Sequence, residues 1–335
     1  MANINFSVTD ETTLIEWLHY WFNTYKLPVV KSTTRDDYLN TIDNHIAPNI
    51  GDIPLVKLTS DDLQRFFNEE RDHGNLISCG EMSKKSIRNM RNTLNSALIK
   101  AVDLDIIPKN PMHPVEIQPL DKPEMTILTP EEENKIIKHL LSNNFKGKYD
   151  FAIFLALKLG LRNGEAAALK FGSFDLSKKS VYIQKRITRV KNLSQQENAP
   201  KTYLEISTPK SKQSIREIPF NDRFAAITQE YFNSCYPRSN HKDFYIFLSD
   251  TGSAADPTTI SKYFQTMLRE IGIKKKVRFH DLRHTFATRA IEKKVDIKTL
   301  SVLLGHTSVQ FTLDRYAHVL GDQKRSAMDT MLSDL

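Results

Sequence analysis

The sequence predicts a mainly helical protein of two domains: an N-terminal helical domain, and a C-terminal α+β domain with a small antiparallel sheet. Three observations carry this. The chain has 335 residues, more than one hydrophobic core comfortably serves. Roughly the first hundred residues show only helical periodicity. Strand-like alternation begins only after residue 178, beyond a proline-rich stretch.

In the first domain, Thr12–Lys26 places Leu14, Trp17, Leu18, Trp21 and Phe22 on one helical stripe, a core pattern. Ser32–Ile46 and Thr59–Arg71 each open with a Ser or Thr suited to capping, followed by acids. Met82–Asp103 is long and two-faced. Ile87, Met90, Leu94, Ala97, Leu98 and Ala101 form its apolar side, and Lys84, Arg88 and Arg91 a basic side. Lys84 and Lys85 occupy the first turn, where the helix dipole disfavours cations. A bound phosphate would relieve that conflict; a solvated charged face explains it equally simply.

Five prolines between Ile107 and Thr129, with few periodic apolar residues, read as an extended linker. The domains are therefore set at 1–117 and 128–335, with the linker at 118–127. A helix opens at Thr129-Pro130-Glu131-Glu132, with cap, N1 proline and first-turn acids. Lys148–Gly160 is almost wholly apolar and reads as a buried helix. Lys179–Lys185, Thr202–Thr208 and Ser214–Phe220 alternate as strands, the last two joined as a hairpin through "TPKSKQS". Helices are expected at Arg223–Tyr236, Thr258–Ile271, His280–Lys293, Ile297–Leu304 and Ser308–Val319.

Composition narrows the class. Hydrophobic residues are 40% and charged residues 26%, as in ordinary globular proteins. The net charge of +7 fits a polyanionic partner, and equally a surface charged for solubility. Cys79 and Cys235 fall in different domains, so free thiols and a reducing cytoplasm are expected. The N-terminus lacks the basic and apolar regions of a signal peptide, and no segment is long enough to span a bilayer.

Five places in the second domain carry polar residues capable of chemistry. Arg162 ends a helix with Glu165 close behind, Lys210 and Lys212 sit in "TPKSKQS", and His280 and Arg283 stand one turn apart. His306 follows a glycine in "LLGHTS", and Tyr316 lies in "LDRYAHV". Each has a plainer explanation alone: an ion pair, a solvated loop lysine, a core aromatic. His280 and His284 at i, i+4 could ligate zinc, but no Glu follows His280 and the neighbouring arginines repel a cation, so no metal is expected. "RFHDLRH", after Lys274–Lys276, crowds cations at a helix start, which calls for something anionic.

Taken together, "GLRNGEAAAL", "TPKSKQSIREIP", "HDLRHTFAT" and "LLGHTSVQFTLDRYAHV" resemble the tyrosine recombinase family, most closely the integrases of phages and integrative conjugative elements. The helical first domain resembles that family's SAM-like core-binding domain, and the second its catalytic domain.

The resemblance implies roles. Tyr316 is the nucleophile that forms a 3′-phosphotyrosyl bond to DNA and frees a 5′-hydroxyl. Arg162 and Arg283 stabilise charge on the non-bridging oxygens. His306 donates a hydrogen bond, His280 is an acid/base partner or phosphate donor, and Lys210 is the general acid. Glu165 orients Arg162. Lys84, Lys85, Arg88, Arg91, Lys212 and Arg278 are the DNA contacts, and His284 either takes part in the site or packs beneath it. No cofactor is implied, because cationic side chains take the place of a metal. The implied partners are double-stranded attachment sites, three further copies of the chain in a tetramer on synapsed DNA, reached through the tail Gly321–Leu335, and an accessory DNA-bending or directionality factor. Only about ten residues precede the first helix, so the arm-binding domain of many such integrases is expected to be missing or removed. Two rivals remain: a type IB topoisomerase-like strand transferase, and a DNA-binding regulator without catalysis.

Lys210 and Lys212 can be told apart on DNA whose bridging 5′-oxygen is replaced by sulfur, a leaving group that needs no acid. Lys210→Ala is expected to cleave ordinary DNA very slowly and to recover on the sulfur substrate. Lys212→Ala is expected to show a smaller defect, equal on both. Rescue of Lys212→Ala alone would reverse the assignment.

Overall fold

Aromatic packing organises the first of two compact units, Met1–Pro123 and Glu124–Leu335. The structure, a computed structural model, describes residues 8–120, 125–192, 199–208, 212–235, 237–316, 328 and 331–332. Helix α1 (Leu14–Trp21) opens with a capping box: Thr13 accepts from the Glu16 amide, and the Glu16 carboxylate accepts from the Thr13 amide at 2.9 Å. Leu14, Trp17, Leu18 and Trp21 are buried, and Phe22 with them at the start of a wide turn over Phe22–Lys26. The Trp17 indole N–H donates to the Ala97 carbonyl at 3.1 Å, so its burial strands no donor.

Helix α2 (Ser32–Thr41) runs through a second wide turn (Ile42–Ile46) into α3 (Ala47–Ile50). Ser32 is not its cap. Lys31, in extended backbone, holds the N-cap position without a side-chain bond, and Ser32 is already helical. Helix α4 (Ser60–His73) is capped by Thr59 with Asp62 reaching back. Helix α5 (Lys84–Asp103) is capped by Ser83 and buries Ile87, Met90, Leu94, Ala97, Leu98 and Ala101. The proline-rich segment differs from the extended linker expected from Ile107 onward. Ile107, Met112 and Val115 are buried in this core, and the Glu116 amide donates to Gln64. Spaced apolar side chains anchor a segment whose prolines forbid helix.

In the second unit, α6 (Pro130–Ser142) is capped by Thr129 in a box with Glu132. Helix α7 (Asp150–Leu159) is buried along almost its whole length and packs on α11 (Phe279–Glu292). It ends at Gly160, whose φ of +63° is left-handed; a Cβ there would also meet Phe286 at 2.6 Å. A short helix, α8 (Asn163–Ala167), follows at once.

The sheet departs most from expectation. Among the described residues there are two sheets, not one. Strands β1 (Phe174–Asp175), β2 (Ser180–Ile183) and β5 (Arg216–Pro219) form the first, in the order β1-β2-β5. Strands β3 (Arg186–Lys191) and β4 (Thr202–Ser207) form the second, with Arg186 opposite Ser207 and Lys191 opposite Thr202. The segment after β4 therefore crosses between sheets and is not a β4–β5 hairpin. β3 escaped detection because its buried residues, Ile187 and Val190, stand three apart, which breaks the period of two. Helices α9 (Asp222–Ser234), α10 (Pro257–Glu270), α11, α12 (Ile297–Leu304) and a helix over 309–316 lie within two residues of the expected starts.

Thr129→Ala removes the side-chain cap of α6 and is expected to lower stability by about 1 kcal/mol. Urea unfolding followed by circular dichroism measures it, and an unchanged midpoint would deny the cap its role.

Candidate active site

Three arginines from distant parts of the second unit end on the C-terminal carbonyls of α12. Arg216 Nε donates to Leu303 O at 2.6 Å, Arg283 Nη2 to Leu304 O at 2.5 Å, and Arg162 Nη2 to Gly305 O at 3.2 Å. Helix C-termini leave such carbonyls unpaired and carry partial negative charge, so cations belong there. Gly305 caps the helix in left-handed backbone at φ +62°; a Cβ would stand 3.1 Å from Arg216. His306 follows directly.

Glu165 ties two of these arginines together. It is 2% exposed, accepting from Arg162 Nη1 at 2.7 Å and from Arg216 at 3.2 Å (Nη1 to Oε1) and 2.9 Å (Nη2 to Oε2). Burial alone would raise its pKa. The charge and hydrogen bonds of Arg216, then the charges of Arg162 and Arg283, outweigh burial and hold it at about 2. Arg283, 2% exposed, also donates to Gly160 O at 2.8 Å. Burial, then repulsion from Arg162, lowers its pKa to about 9, which leaves it cationic at neutral pH. Arg162 keeps 36% of its side chain exposed and so presents the site's charge to solvent.

The histidines are all drawn toward the neutral form. His280 stands at an exposed rim, yet desolvation by its protein side, then Arg283 and Arg162, brings it to about 4. His306 is lowered to about 3 by burial and then by Arg283, Arg162 and Arg216, and its Nδ1 lies 2.7 Å from Thr312 Oγ1. The Tyr316 hydroxyl lies 2.9 Å from His284 Nδ1; burial raises its pKa to about 12, with Arg283 and Arg315 opposing.

Of the residues singled out in the sequence, Arg162, Glu165, Arg283 and His306 converge around the α12 terminus, and the fields of Arg162 and Arg283 reach His280. Lys210 lies outside the described residues, and Lys212 opens a 3-10 turn (Lys212–Ser214). Arg278 is the N-cap of α11, with its guanidinium on Asp281, which is fully buried. The anion demanded by the crowded cations is thus partly internal: Asp281, Glu165 and backbone carbonyls. Lys84, Lys85, Arg88 and Arg91 lie on the first turns of α5, in the other unit. The Nε atoms of Arg88 and Arg91 are buried without a hydrogen-bond partner among the described residues.

Sequence reasoning missed Arg216. The signal was present: in "REIP", Arg216 shares the inward register with Ile218, a place where the pattern asks for an apolar residue. It left His284 open between the site and the packing beneath it; this side chain touches the Tyr316 hydroxyl.

Comparison with known proteins agrees. The phage integrase family matches residues 126–322, and the phage integrase N-terminal SAM-like domain residues 13–70. A tyrosine recombinase XerC-like protein of Caldanaerobacter subterraneus subsp. tengcongensis is 30% identical, across 99% of this chain and 85% of that protein. The ICEBs1 integrase of Bacillus subtilis is 28% identical over 87% of this chain and 75% of its own. The Tn1549 transposon integrase, solved with a circular intermediate DNA, superposes with a TM-score of 0.77 at 21% identity, covering 96% of this chain and 99% of that one. A lambda integrase, solved as a tetramer bound to a Holliday junction, superposes at 0.64 with 21% identity, over 89% and 79%. The chain belongs to the phage integrase family: it is a tyrosine recombinase, an enzyme of site-specific DNA recombination.

The lowered pKa values set its acid stability. Glu165 sits below its ordinary 4.5, and the histidines below 6.5, so the unfolded chain takes up these protons first as pH falls. The contribution of these four groups is full above pH 6.5. It is lost through the histidines as pH falls toward 4 and 3, and through Glu165 from 4.5 toward 2. Glu165→Gln leaves Arg216 buried without its counter-charge and is expected to cost about 3–5 kcal/mol at pH 7. It should also flatten the loss below pH 4.5. Urea unfolding across pH 3–7 tests both, and parallel curves would exclude Glu165 as a source of the acid sensitivity.

Proposed function

We propose that this recombinase cuts DNA at specific attachment sites by attack of the Tyr316 hydroxyl on a backbone phosphorus. The products are a 3′-phosphotyrosyl bond and a free 5′-hydroxyl, and the strand is rejoined when a 5′-hydroxyl from the partner site attacks in turn. Bond energy is carried over, so no nucleotide is consumed. The observation that supports this best is the convergence of Arg162 and Arg283 on the Leu304 carbonyl, with His306 two residues on and Tyr316 within the field of Arg283.

Arg162, the more exposed guanidinium, grips the non-bridging oxygens, and Arg283 supplies positive field from beneath. His306, neutral at pH 7, donates a hydrogen bond to the developing charge, and neutral His280 is the acid/base partner that takes up the Tyr316 proton as the O–P bond forms. Lys210 protonates the leaving 5′-oxygen, with Lys212 and Arg278 as phosphate contacts. In the other unit, the core-binding domain, Lys84, Lys85, Arg88 and Arg91 meet phosphates beside α5. The substrate is double-stranded DNA in the cytoplasm. The active assembly is a tetramer on two synapsed sites, joined through a tail whose Met328, Met331 and Leu332 are exposed at 50%, 75% and 50%. An accessory DNA-bending or directionality factor would set integration against excision.

A nicked suicide duplex spanning the junction between the encoding element and its flanking DNA tests this. Tyr316→Phe is expected to bind within about twofold of wild type and to form no covalent adduct. Adduct in that variant would move the nucleophile elsewhere. Arg88→Glu is expected to weaken binding and to reduce the slope of log affinity against log salt by about 1; an unchanged slope would remove α5 from the DNA interface.

A further inference from the structure

Arg283 and His284 are neighbours on α11, about 100° apart around the helix axis. The first points to the carbonyls of α12, the second to Tyr316. His284 is 6% exposed and Tyr316 1%. The phenol packs among Ala287, Ala290, Ile291, Leu300 and Leu304, with its hydroxyl 2.9 Å from His284 Nδ1. Two titratable neighbours on α11 crowd the imidazole: His280, edge-to-face at 4.8 Å between ring centroids, and Asp281. Arg283 on α11 and Arg315 on the 309–316 helix add positive charge. These surroundings keep the ring neutral, with one donor and one acceptor nitrogen. In the tautomer that carries its proton on Nε2, Nδ1 is free to accept from the protonated phenol.

We propose that His284 is a positioning residue for strand cleavage: its Nδ1 accepts the hydrogen bond of Tyr316 and fixes where the nucleophilic oxygen points. The inference rests on Tyr316 being the nucleophile. His284 does not take the proton. Burial raises the phenol and lowers the imidazole, so transfer between them before attack is unfavourable. Its contribution is orientation, where a displacement of about 1 Å can cost about 100-fold in rate.

The experiment compares His284→Asn, His284→Gln and His284→Leu in the full chain, on the suicide duplex described above. The readouts are single-turnover adduct rate, DNA affinity, and the adduct site from peptide mass spectrometry. Asn keeps an acceptor near the place of Nδ1, Gln moves it one carbon farther, and Leu fills the space without one. The expected result is a rate within about tenfold of wild type for Asn and about 100-fold down for Leu, with affinities within about twofold. A merely structural role predicts the reverse order, because Leu packs better than Asn in a buried site. Leu equal to or faster than Asn overturns the proposal, including the case in which His284 only holds the tyrosine back. Should Leu fail to fold, Asn and Gln decide: Asn about tenfold faster supports the proposal, and equal rates overturn it. An adduct on a residue other than Tyr316 is a separate outcome that fails the nucleophile assignment itself.

Discussion

The catalytic unit is organised by the C-terminus of one short helix. The last carbonyls of α12 point at three guanidiniums, from β5, α11 and the start of α8. A helix end has nothing of its own to bond those oxygens, and its dipole favours positive charge. The three buried or half-buried cations repel one another, and the carbonyls and Glu165 offset that repulsion. Here they are hydrogen-bonded one by one, and Gly305 lets the chain turn away so that His306 follows immediately.

Glu165 completes the arrangement. Its carboxylate faces Arg216 on one side and Arg162 on the other. A buried ion pair contributes little net stability against an apolar replacement, but breaking one is costly. The cluster is therefore better understood as a device that fixes geometry. Arg216 holds Glu165, Glu165 holds Arg162, and Arg162 presents its charge to solvent. This net positive field has a second effect, since it helps to keep His280, His284 and His306 neutral. A neutral imidazole can accept as well as donate, as the role proposed for His284 at Tyr316 requires.

The N-terminal unit follows a different logic. Its core is a packed set of aromatic and aliphatic stripes, with the Trp17 indole bonded to the α5 backbone at Ala97. Lys84 and Lys85 sit in the first turn of α5, the end that favours anions. That placement runs against the helix dipole, and it fits the phosphate contact proposed for this face.

Much of this was legible in the sequence. The helical stripes, the caps at Thr59 and Thr129, and the family's ordered Arg, His-x-x-Arg, Gly-His and Tyr can be read along the chain, because each depends on residues within a few turns of one another. The pairing of β3 with β4 was not, since Ile187 and Val190 are out of phase and register is chosen between strands. The burial of the proline-rich segment was not, because its anchors are spaced without a period. Arg216 was not singled out, because its partners, Glu165 and Leu303, lie 51 and 87 residues away. Whether His284 belongs to the site or to the packing beneath it was open along the chain, because its partner Tyr316 lies 32 residues on. Local periodicity and capping determined the elements and the residue types of the site. Which cation meets which carbonyl, and which histidine meets the tyrosine, only tertiary packing decided, because those contacts join residues that no local rule connects.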